Sequence, residues 1–404
     1  MLSNEMEEKL AERLALRINE VNDYILLKIG QNIKEISTIK PSDAYKLQQI
    51  LKYGGSYEEI TRKLSTISGK NVEEIFAIFT IVAKENKEFA KKFFKYRNIK
   101  MIPYEEDIAL KNQVDSIAKL TANTYRNISN TRGIGFLMED LDGQVHFKNL
   151  QDSYNEVIDR GILSISQGKE TFQEEMTRII KQIGNSGLVL YDTGNTRRLD
   201  SAVRMNLLDG IRQLNVENSL AFGKLYNADG VEISVHTNPA PDHADIQGRQ
   251  FSNEEYEKLE NGEMAEDING NIYDGADKRK IAHYNCYHKV FAIVIGASEP
   301  EYTDEQLEQI QETNEKGFEF EGKHYTMYEG TQLQRKIETA IRKQKDIQIL
   351  ARTSGEDFAE VAMKSQQKIN LLVDKYKKLS NASGLREQRK RMSVSQYRKI
   401  KVEK

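Results

Sequence analysis

Histidine and cysteine are concentrated in one part of this 404-residue chain: five of the six histidines and the only cysteine lie between His236 and His324. Zn²⁺ accepts both residue types as ligands, and four of these residues are the candidate metal ligands: His236, His243, Cys286 and His288. The same types, together with aspartate, could also form a nucleophile with its general base. This segment is therefore the first place to look for a functional site.

Polar side chains that could hold loops together stand close to these residues in sequence: Asp242, Asp245, Gln247 and Asn285. Proline fixes φ and donates no backbone hydrogen bond, so the proline-rich segment 238–241 must be extended or turned. Short polar side chains can bind backbone groups that have no sheet partner. The sequence thus predicts a structural polar cluster in a turn, with Gly248 at a positive φ.

A short β-like run at 231–235 ends just before His236, and an apolar strand-like run at 289–296 follows Cys286. We therefore expect His243 and Cys286 to lie within a few ångströms of the same strand end. There they would either share a metal ion or be hydrogen-bonded through Asp242 and Asn285.

The spacing of the candidate ligands does not select one role for them. Six residues separate His236 from His243, and one residue separates Cys286 from His288. Structural zinc sites usually place two to four residues between cysteines and three to five between histidines. Three interpretations stay open: a structural cluster without a cofactor, a bound zinc ion, and a catalytic centre.

Four segments, in order within residues 150–395, point to a known family. They are Gly194–Asn206, which is rich in arginine; the pattern His-x-x-x-Ala-Pro-Asp-His-Ala-Asp-x-Gln-Gly that begins at His236; Asn285-Cys-x-His288; and Tyr328–Arg335. Together they resemble the phage minor capsid protein 2 family of tailed bacteriophages, which is related to the MuF-type head morphogenesis proteins.

The resemblance implies a structural protein, not an enzyme: a minor capsid component, present in few copies near the portal, that acts in head assembly or DNA handling. Its partners would be the portal and capsid proteins of the phage head, together with packaged double-stranded DNA. It would reside in the virion, in the capsid interior or at the portal vertex, after assembly in the bacterial cytoplasm. The alternative is a metal-assisted hydrolase or nucleotidyl-acting enzyme that uses the histidine, aspartate and cysteine cluster.

The composition agrees with a helical protein of more than one packing unit. Charged residues make up 30% of the chain and the mean hydropathy is −0.65, which favours extended helices with much surface. Only five prolines interrupt potential helices, and a single cysteine excludes an intramolecular disulfide. The longest apolar run, 290–298, is shorter than the ~20 residues that cross a bilayer, so we expect no membrane partner.

Hydrophobic periodicity predicts an α+β fold that is predominantly helical. We expect a helical N-terminal docking region at 1–140, a small α+β MuF-like domain at 141–330, and C-terminal helices with a basic tail at 331–404. Helices are predicted at 107–127, 150–160, 170–184, 197–227 and 331–379, and a further strand at 188–191. Gly133 to Gly135 is predicted as a loop, and Asp142-Gly143 and Asn269-Gly270 as turns.

Aliphatic residues recur every three or four positions near the N-terminus: Leu10, Leu14, Ile18, Val21, Ile25 and Ile29. This spacing lines one face of a helix, and such a stripe must be covered by something. We interpret it as the surface that docks on the portal.

Two groups of basic residues have predicted roles. Arg198 and Arg204, with Asp200, would anchor the carboxylates of the polar cluster from a neighbouring helix; ordinary pairing along the helix surface is the alternative. The C-terminal tail from Gly384 has a net charge of +6. Its candidate DNA-contacting residues are Arg386, Arg389, Lys390, Arg391, Arg398, Lys399 and Lys401. The rival interpretations are a solvated tail and pairing with the acidic stretch at 254–267.

Overall fold

The computed structural model describes residues 1–53, 56–129, 133–140, 142–192 and 195–401. It is 66% helical with small antiparallel sheets, which confirms the predominantly helical α+β class. The helices are α1 (Asn4–Ser37), α2 (Ala44–Tyr53), α3 (Ser56–Tyr96), α4 (Ile108–Ile128), α5 (Leu150–Gln167), α6 (Lys169–Ser186), α7 (Leu199–Leu225), α8 (Asn253–Glu260), α9 (Asp304–Lys316), α10 (Met327–Thr353) and α11 (Ala359–Ser383).

The strands are short and pair antiparallel throughout the described residues. They are β1 (Ile134–Glu139), β2 (Val145–Asn149), β3 (Val189–Asp192), β4 (Asn195–Arg198), β5 (Gly230–Ile233), β6 (Gln250–Ser252), β7 (Met264–Glu266), β8 (Ile272–Asp274), β9 (Val290–Ile293), β10 (Phe318–Phe320) and β11 (Lys323–Tyr325). Within the described ranges, two sheets have more than two strands, with the orders β2-β1-β3-β4 and β6-β5-β9.

The chain divides into two compact units, each built from three separate stretches. The first unit comprises Met1–Ala11, Glu73–Asn123 and Met205–Gln332, and the second comprises Glu12–Val72, Thr124–Arg204 and Leu333–Lys404. This division describes packing, whereas the three regions expected from the sequence describe roles along the chain. The three-region organisation stays a prediction.

The first unit contains the sheet β6-β5-β9, in which Val231 of the central strand pairs with Phe251 and Ala292. One hydrophobic core cluster among the described residues of this unit consists of Val231, Ile233, Ile246, Phe251, Tyr256, Leu259, Ala265, Tyr273, Ile281, Ala282, Cys286 and Val290. Val216 and Leu220 of α7 pack against this core. The predicted hairpin turn between β7 and β8 is present, with Gly270 at a φ of +88°.

The second unit contains the sheet β2-β1-β3-β4. Here the predicted loop at Gly133 to Gly135 is wrong in part, because Gly135 lies within β1 and pairs with Asn149. A Cβ atom at position 135 would come within 1.8 Å of the Lys148 carbonyl oxygen, so this glycine allows close approach of two backbones. The predicted turn at Asp142-Gly143 is confirmed by Gly143, whose φ is +78°.

The N-terminal aliphatic stripe is internal, so its interpretation as a portal-docking surface is wrong. Its members from Leu14 to Ile29 are each at most 1% exposed. Within the second unit, the Asn32 side chain of α1 donates to the Tyr154 hydroxyl of α5 over 2.6 Å, and Gly30 lies close to Thr353 of α10. The chain itself thus covers five of the six members of the stripe, and Leu10 is partly buried.

Two other helix predictions differ in detail. The arginine-rich segment begins as β4, so Arg198 ends a strand paired with Val189 and the helix starts at Leu199; Gly194 lies outside the described residues. The helix predicted at 331–379 is two helices, α10 and α11, separated near Gly355, which has a φ of +115°. That conformation is one that side-chain-bearing residues rarely adopt.

Among the described residues, no helix combines the length and the apolar character that crossing a bilayer requires.

Candidate functional site

The antiparallel pairing of β5 and β9 brings the two histidine-containing segments to one edge of the sheet. Ile233, the last residue of β5, pairs with Val290, the first residue of β9. The residues after β5 and the residues before β9 must therefore be neighbours. The Ser234 backbone amide extends the pairing by donating to the Lys289 carbonyl over 2.8 Å. His236 lies two residues after Ser234 and His288 immediately precedes Lys289, so both histidines lie at this end of the sheet.

The segment 241–248 is a compact series of turns that carries His243 and Gln247. Gly248 ends it with a φ of +71°, as predicted, and its amide donates to the Ile233 carbonyl over 2.8 Å. A Cβ atom at position 248 would lie 2.5 Å from Leu307. The turn is thus closed against the end of β5, and His243 is directed into the unit.

The loop before Cys286 has an unusual backbone. Ala282, Tyr284 and Asn285 all have positive φ, at 69°, 49° and 66°, a conformation that is sparsely populated for residues with side chains. The Cys286 amide donates to the His283 carbonyl over 2.9 Å. Such conformations persist where the surroundings over-determine them and cluster at functional sites. Here they bury the thiol of Cys286, which is 3% exposed.

Two candidate ligands, His243 and His288, contact the thiol of a third, Cys286. The Cys286 Sγ lies 3.4 Å from His243 Nδ1 and 3.4 Å from His288 Nδ1. Each imidazole is 1% exposed, and the ligand atoms of the three residues all lie within 4.8 Å of one another. The structure therefore brings together two distant segments of the sequence, as expected, but through a direct contact instead of through Asp242 and Asn285.

The far nitrogens of the two imidazoles have partners of their own. His243 Nε2 lies 2.7 Å from the Arg279 carbonyl oxygen, and His288 Nε2 lies 3.3 Å from Gln247 Oε1. The same Gln247 oxygen accepts a hydrogen bond from the His236 backbone amide over 3.1 Å. Both rings are thus oriented with Nδ1 towards the sulfur.

His236 belongs to the periphery of this group. Its ring centroid lies 4.4 Å from that of His288, and its side chain is only partly buried. Burial, followed by the nearby His243 and Arg212, lowers the pKa of His236 to about 4. The ring is therefore neutral at physiological pH and packs on His288 as an uncharged group.

Burial sets the protonation of the central residues. It lowers the pKa of His243 and, more strongly, that of His288. It raises the pKa of the Cys286 thiol. In a site that excludes water, the charged form of each group loses its hydration. The group therefore consists of two neutral imidazoles and a thiol unless a cation stabilises the thiolate.

The acidic members of the predicted cluster are held by basic residues that the sequence analysis missed. Arg279 donates from Nε and Nη2 to the two oxygens of Asp242, over 2.6 and 2.9 Å. Burial would raise the pKa of Asp242, but Arg279 outweighs it and the pKa falls to about 2. Lys278 binds both oxygens of Asp245 over 2.9 Å. A basic pair more than thirty positions away has no spacing that would identify it.

Asn285 contributes its backbone instead of its side chain. Its amide donates to Asp209 Oδ1 over 3.1 Å, and its side chain is exposed. Asp209 lies on α7 and was not predicted. The hydrogen bond from Asn285 to Asp209 holds the positive-φ loop in place.

The expectation that Arg198 and Arg204 hold the carboxylates of the cluster is wrong. In the second unit, Arg198 donates to Asp346 over 3.0 Å and to Asp200 over 3.3 Å, and Arg342 binds Asp200 over 2.5 Å. These four side chains are buried and form what we call the ion network. Arg204 pairs separately with Glu12 over 2.8 Å, so both arginines serve the interior of the second unit.

The basic tail is ordered against the second unit as a strap, residues 384–401. Gln348 donates to the Arg398 carbonyl over 2.7 Å, and Ser395 donates to Asp23 over 2.6 Å. Six of the seven candidate DNA-contacting residues are exposed: Arg386, Arg389, Lys390, Arg398, Lys399 and Lys401. Arg391 is 9% exposed, so its predicted contact with DNA is not available on this surface.

A family model described as phage minor capsid protein 2 matches residues 8–379 of the chain. Searches of curated proteins and of solved structures found no match.

Proposed function

Since the chain belongs to the phage minor capsid protein 2 family, we propose that it acts near the portal of a tailed-phage head, in head assembly or in the handling of DNA. Membership makes it a structural protein of a phage. The observation that supports this is the extent of the match, which includes the histidine and cysteine segments, α10 and most of α11.

Purified heads test this role. We expect quantitative mass spectrometry to find the chain at far fewer copies than the major capsid protein, with cross-links to the portal protein. Deleting its gene should reduce the yield of DNA-filled heads. Absence from heads, or a copy number equal to that of the major capsid protein, would refute a minor capsid role. Cross-links to the major capsid protein without any to the portal would refute the position near the portal.

The strap supports a role in DNA handling. Its carbonyls accept hydrogen bonds from side chains of α10, including Lys345 to Met392 and Gln348 to Arg398, over 2.6 and 2.7 Å. The backbone is thereby held in place while six of the strap's lysine and arginine residues are exposed to solvent. Ordered cations that meet phosphates release counterions, so such binding is independent of sequence and sensitive to salt.

Salt dependence tests the strap. If about six cations contact phosphates, log affinity should fall against log salt with a slope near −5. Replacing Lys390, Lys399 and Lys401 with glutamine should make the slope shallower by roughly 3. The matched control replaces the exposed α11 lysines Lys364, Lys368 and Lys377 and should leave the slope unchanged. A wild-type slope near zero, or equal slopes for wild type and strap variant, would assign the strap to solubility or to an intramolecular partner.

The histidine and cysteine group has a structural role in this proposal. His243, Cys286 and His288 are each at most 3% exposed, so a macromolecular substrate has no access to them. This burial argues against the alternative of a hydrolase or nucleotidyl-acting enzyme. Nuclease and phosphatase assays on the purified chain test it directly, and metal-dependent turnover lost in Cys286→Ala would restore the enzyme hypothesis.

A further inference from the structure

We propose that His243, Cys286 and His288 bind one Zn²⁺ ion, which ties the turn at 241–248 to the start of β9. This inference concerns the interior of the first unit and does not depend on the proposed role in phage heads.

The two distances from the sulfur to the imidazole nitrogens fit zinc. With Zn–S near 2.3 Å and Zn–N near 2.0–2.1 Å, tetrahedral angles separate a sulfur from a nitrogen by about 3.5 Å. Both Cys286 Sγ to Nδ1 distances are 3.4 Å. A thiol hydrogen-bonded to an imidazole can have a similar length, so distance needs a second criterion.

The tautomers of both imidazoles supply that criterion. The Arg279 carbonyl can only accept, so His243 Nε2 must carry the proton that joins them. The Gln247 oxygen is identified by the His236 backbone amide, which can only donate to it. The same oxygen therefore also accepts from His288 Nε2. With both Nε2 atoms protonated, both Nδ1 atoms present lone pairs to the thiol.

The single proton of the Cys286 thiol cannot satisfy both Nδ1 lone pairs. A thiol donates a single hydrogen bond, so it can serve one Nδ1 and leaves the other facing a sulfur lone pair in a buried site. Protonating the second imidazole would place a charge on a ring that is 1% exposed, where that charge loses its hydration. A buried acceptor without a donor is destabilising. A cation at this point would engage all three lone pairs at once.

The surroundings of the rings resemble the outer shell of zinc sites. Histidines that bind zinc usually donate their other ring nitrogen to a carbonyl or carboxylate, which fixes the tautomer. Arg279 and Gln247 fill these positions here, and Asp242 holds Arg279 with two hydrogen bonds. Two members of the predicted polar cluster thereby acquire a function. Gln247, and Asp242 through Arg279, orient the ligands instead of binding the ion.

The donor set selects the ion by its chemistry. Two imidazole nitrogens and one thiolate suit Zn²⁺ and other borderline or soft cations, whereas Mg²⁺ and Ca²⁺ require oxygen ligands. Three protein ligands leave the fourth tetrahedral position to water, but the burial of all three residues gives a macromolecular substrate no access to the ion, so we assign it a structural role. Binding converts the Cys286 thiol to thiolate and releases one proton to solvent.

Metal content tests the proposal on the full-length chain, purified without a metal-binding tag from cells supplied with zinc. We expect about one zinc per chain, as in a structural site, and loss of the ion in Cys286→Ser and His288→Ala. The matched control is His283→Ala, which alters a histidine of the same loop whose ring lies 3.4 Å from Gln213. The control should retain the ion.

Cobalt substitution of the wild type keeps the proposal testable if the ligand variants fail to fold. Cys286 is the only thiol in the chain, so a thiolate-to-Co²⁺ charge-transfer band can come from no other residue. We expect this band on adding Co²⁺ to the metal-free protein, and its loss on adding Zn²⁺. Wild-type protein that holds no zinc and shows no such band would overturn the assignment. So would undiminished zinc content in a folded Cys286→Ser variant.

Discussion

Each compact unit contains a buried polar cluster, and the two clusters are completed differently. In the ion network of the second unit, two arginines face two aspartates, so charges balance within the chain. Every carboxylate oxygen has a donor: Arg198 and Arg342 serve Asp200, while Arg198 and Asn22 serve Asp346. In the first unit, the group around Cys286 has more lone pairs than protons.

The ion network braces the fold of its unit, whereas the group around Cys286 is suited to bind a ligand. Burying charged or polar groups is costly unless each finds a partner. The carboxylates of the ion network meet this condition with donors from their own chain and therefore need no ligand. The group around Cys286 meets it only with an added cation. Counting donors against acceptors thus distinguishes two clusters that look equally polar in sequence.

Breaking the ion network should have the largest effect. Asp200→Asn leaves Arg198 and Arg342 without their shared carboxylate, and removing one partner of a buried ion pair typically costs about 3–5 kcal/mol. Denaturant unfolding measures this loss. Asp374→Asn is the matched control, because Asp374 forms an exposed pair with Lys378 and should cost at most about 1 kcal/mol. Equal losses in the two variants would show that burial of the network does not matter.

Bound zinc should stabilise the first unit by slightly less than the stability lost in Asp200→Asn. At free zinc a hundredfold above the dissociation constant, linkage predicts a gain of about 2.7 kcal/mol over the chelator-treated protein. Thermal unfolding with and without zinc measures the gain, and Cys286→Ser should show none. Identical unfolding of metal-free and zinc-supplied wild type would remove the contrast between the two clusters.

Loss of an orienting residue should weaken zinc binding without abolishing it. Gln247→Ala removes the acceptor of His288 Nε2, and such changes typically reduce metal affinity by about 10–100-fold. Competition with a chromophoric chelator measures the affinity. Gln213→Ala, beside His283, is the control and should bind zinc as the wild type does. An unchanged affinity in Gln247→Ala would mean that Gln247 does not fix the ring of His288.

Lowering the pH should reveal the charge on Asp200 as a small change in how the free energy of unfolding depends on pH. Burial alone would raise its pKa, but Arg342 and Arg198 lower it below the ordinary value of 3.8. A carboxyl group with a folded-state pKa below its unfolded value contributes stability above the unfolded value and loses that contribution as pH falls further. The stability gap between wild type and Asp200→Asn should therefore narrow below about pH 4. A constant gap would contradict a charged Asp200.

Local sequence determined much of this protein because helices and turns depend on neighbouring residues. The helix over 107–127, the turn glycines at 143, 248 and 270, and the strand before His236 all follow from short-range patterns. The family segments and the concentration of histidines likewise identified the candidate site. Each of these features depends on residue types within a few positions of one another.

Tertiary structure decided which residues, distant in sequence, contact one another. The spacing of Leu14 and Ile18 predicts an apolar face, but whether the chain or a partner covers that face depends on residues far along the sequence. Arg279 and Asp346 acquired their partners in the same way, through packing between distant segments. The direction of Nδ1 in His243 and His288 depends on a carbonyl and an amide oxygen brought alongside them. Charge, tautomer and burial belong to the assembled fold, because each depends on atoms that only folding brings together.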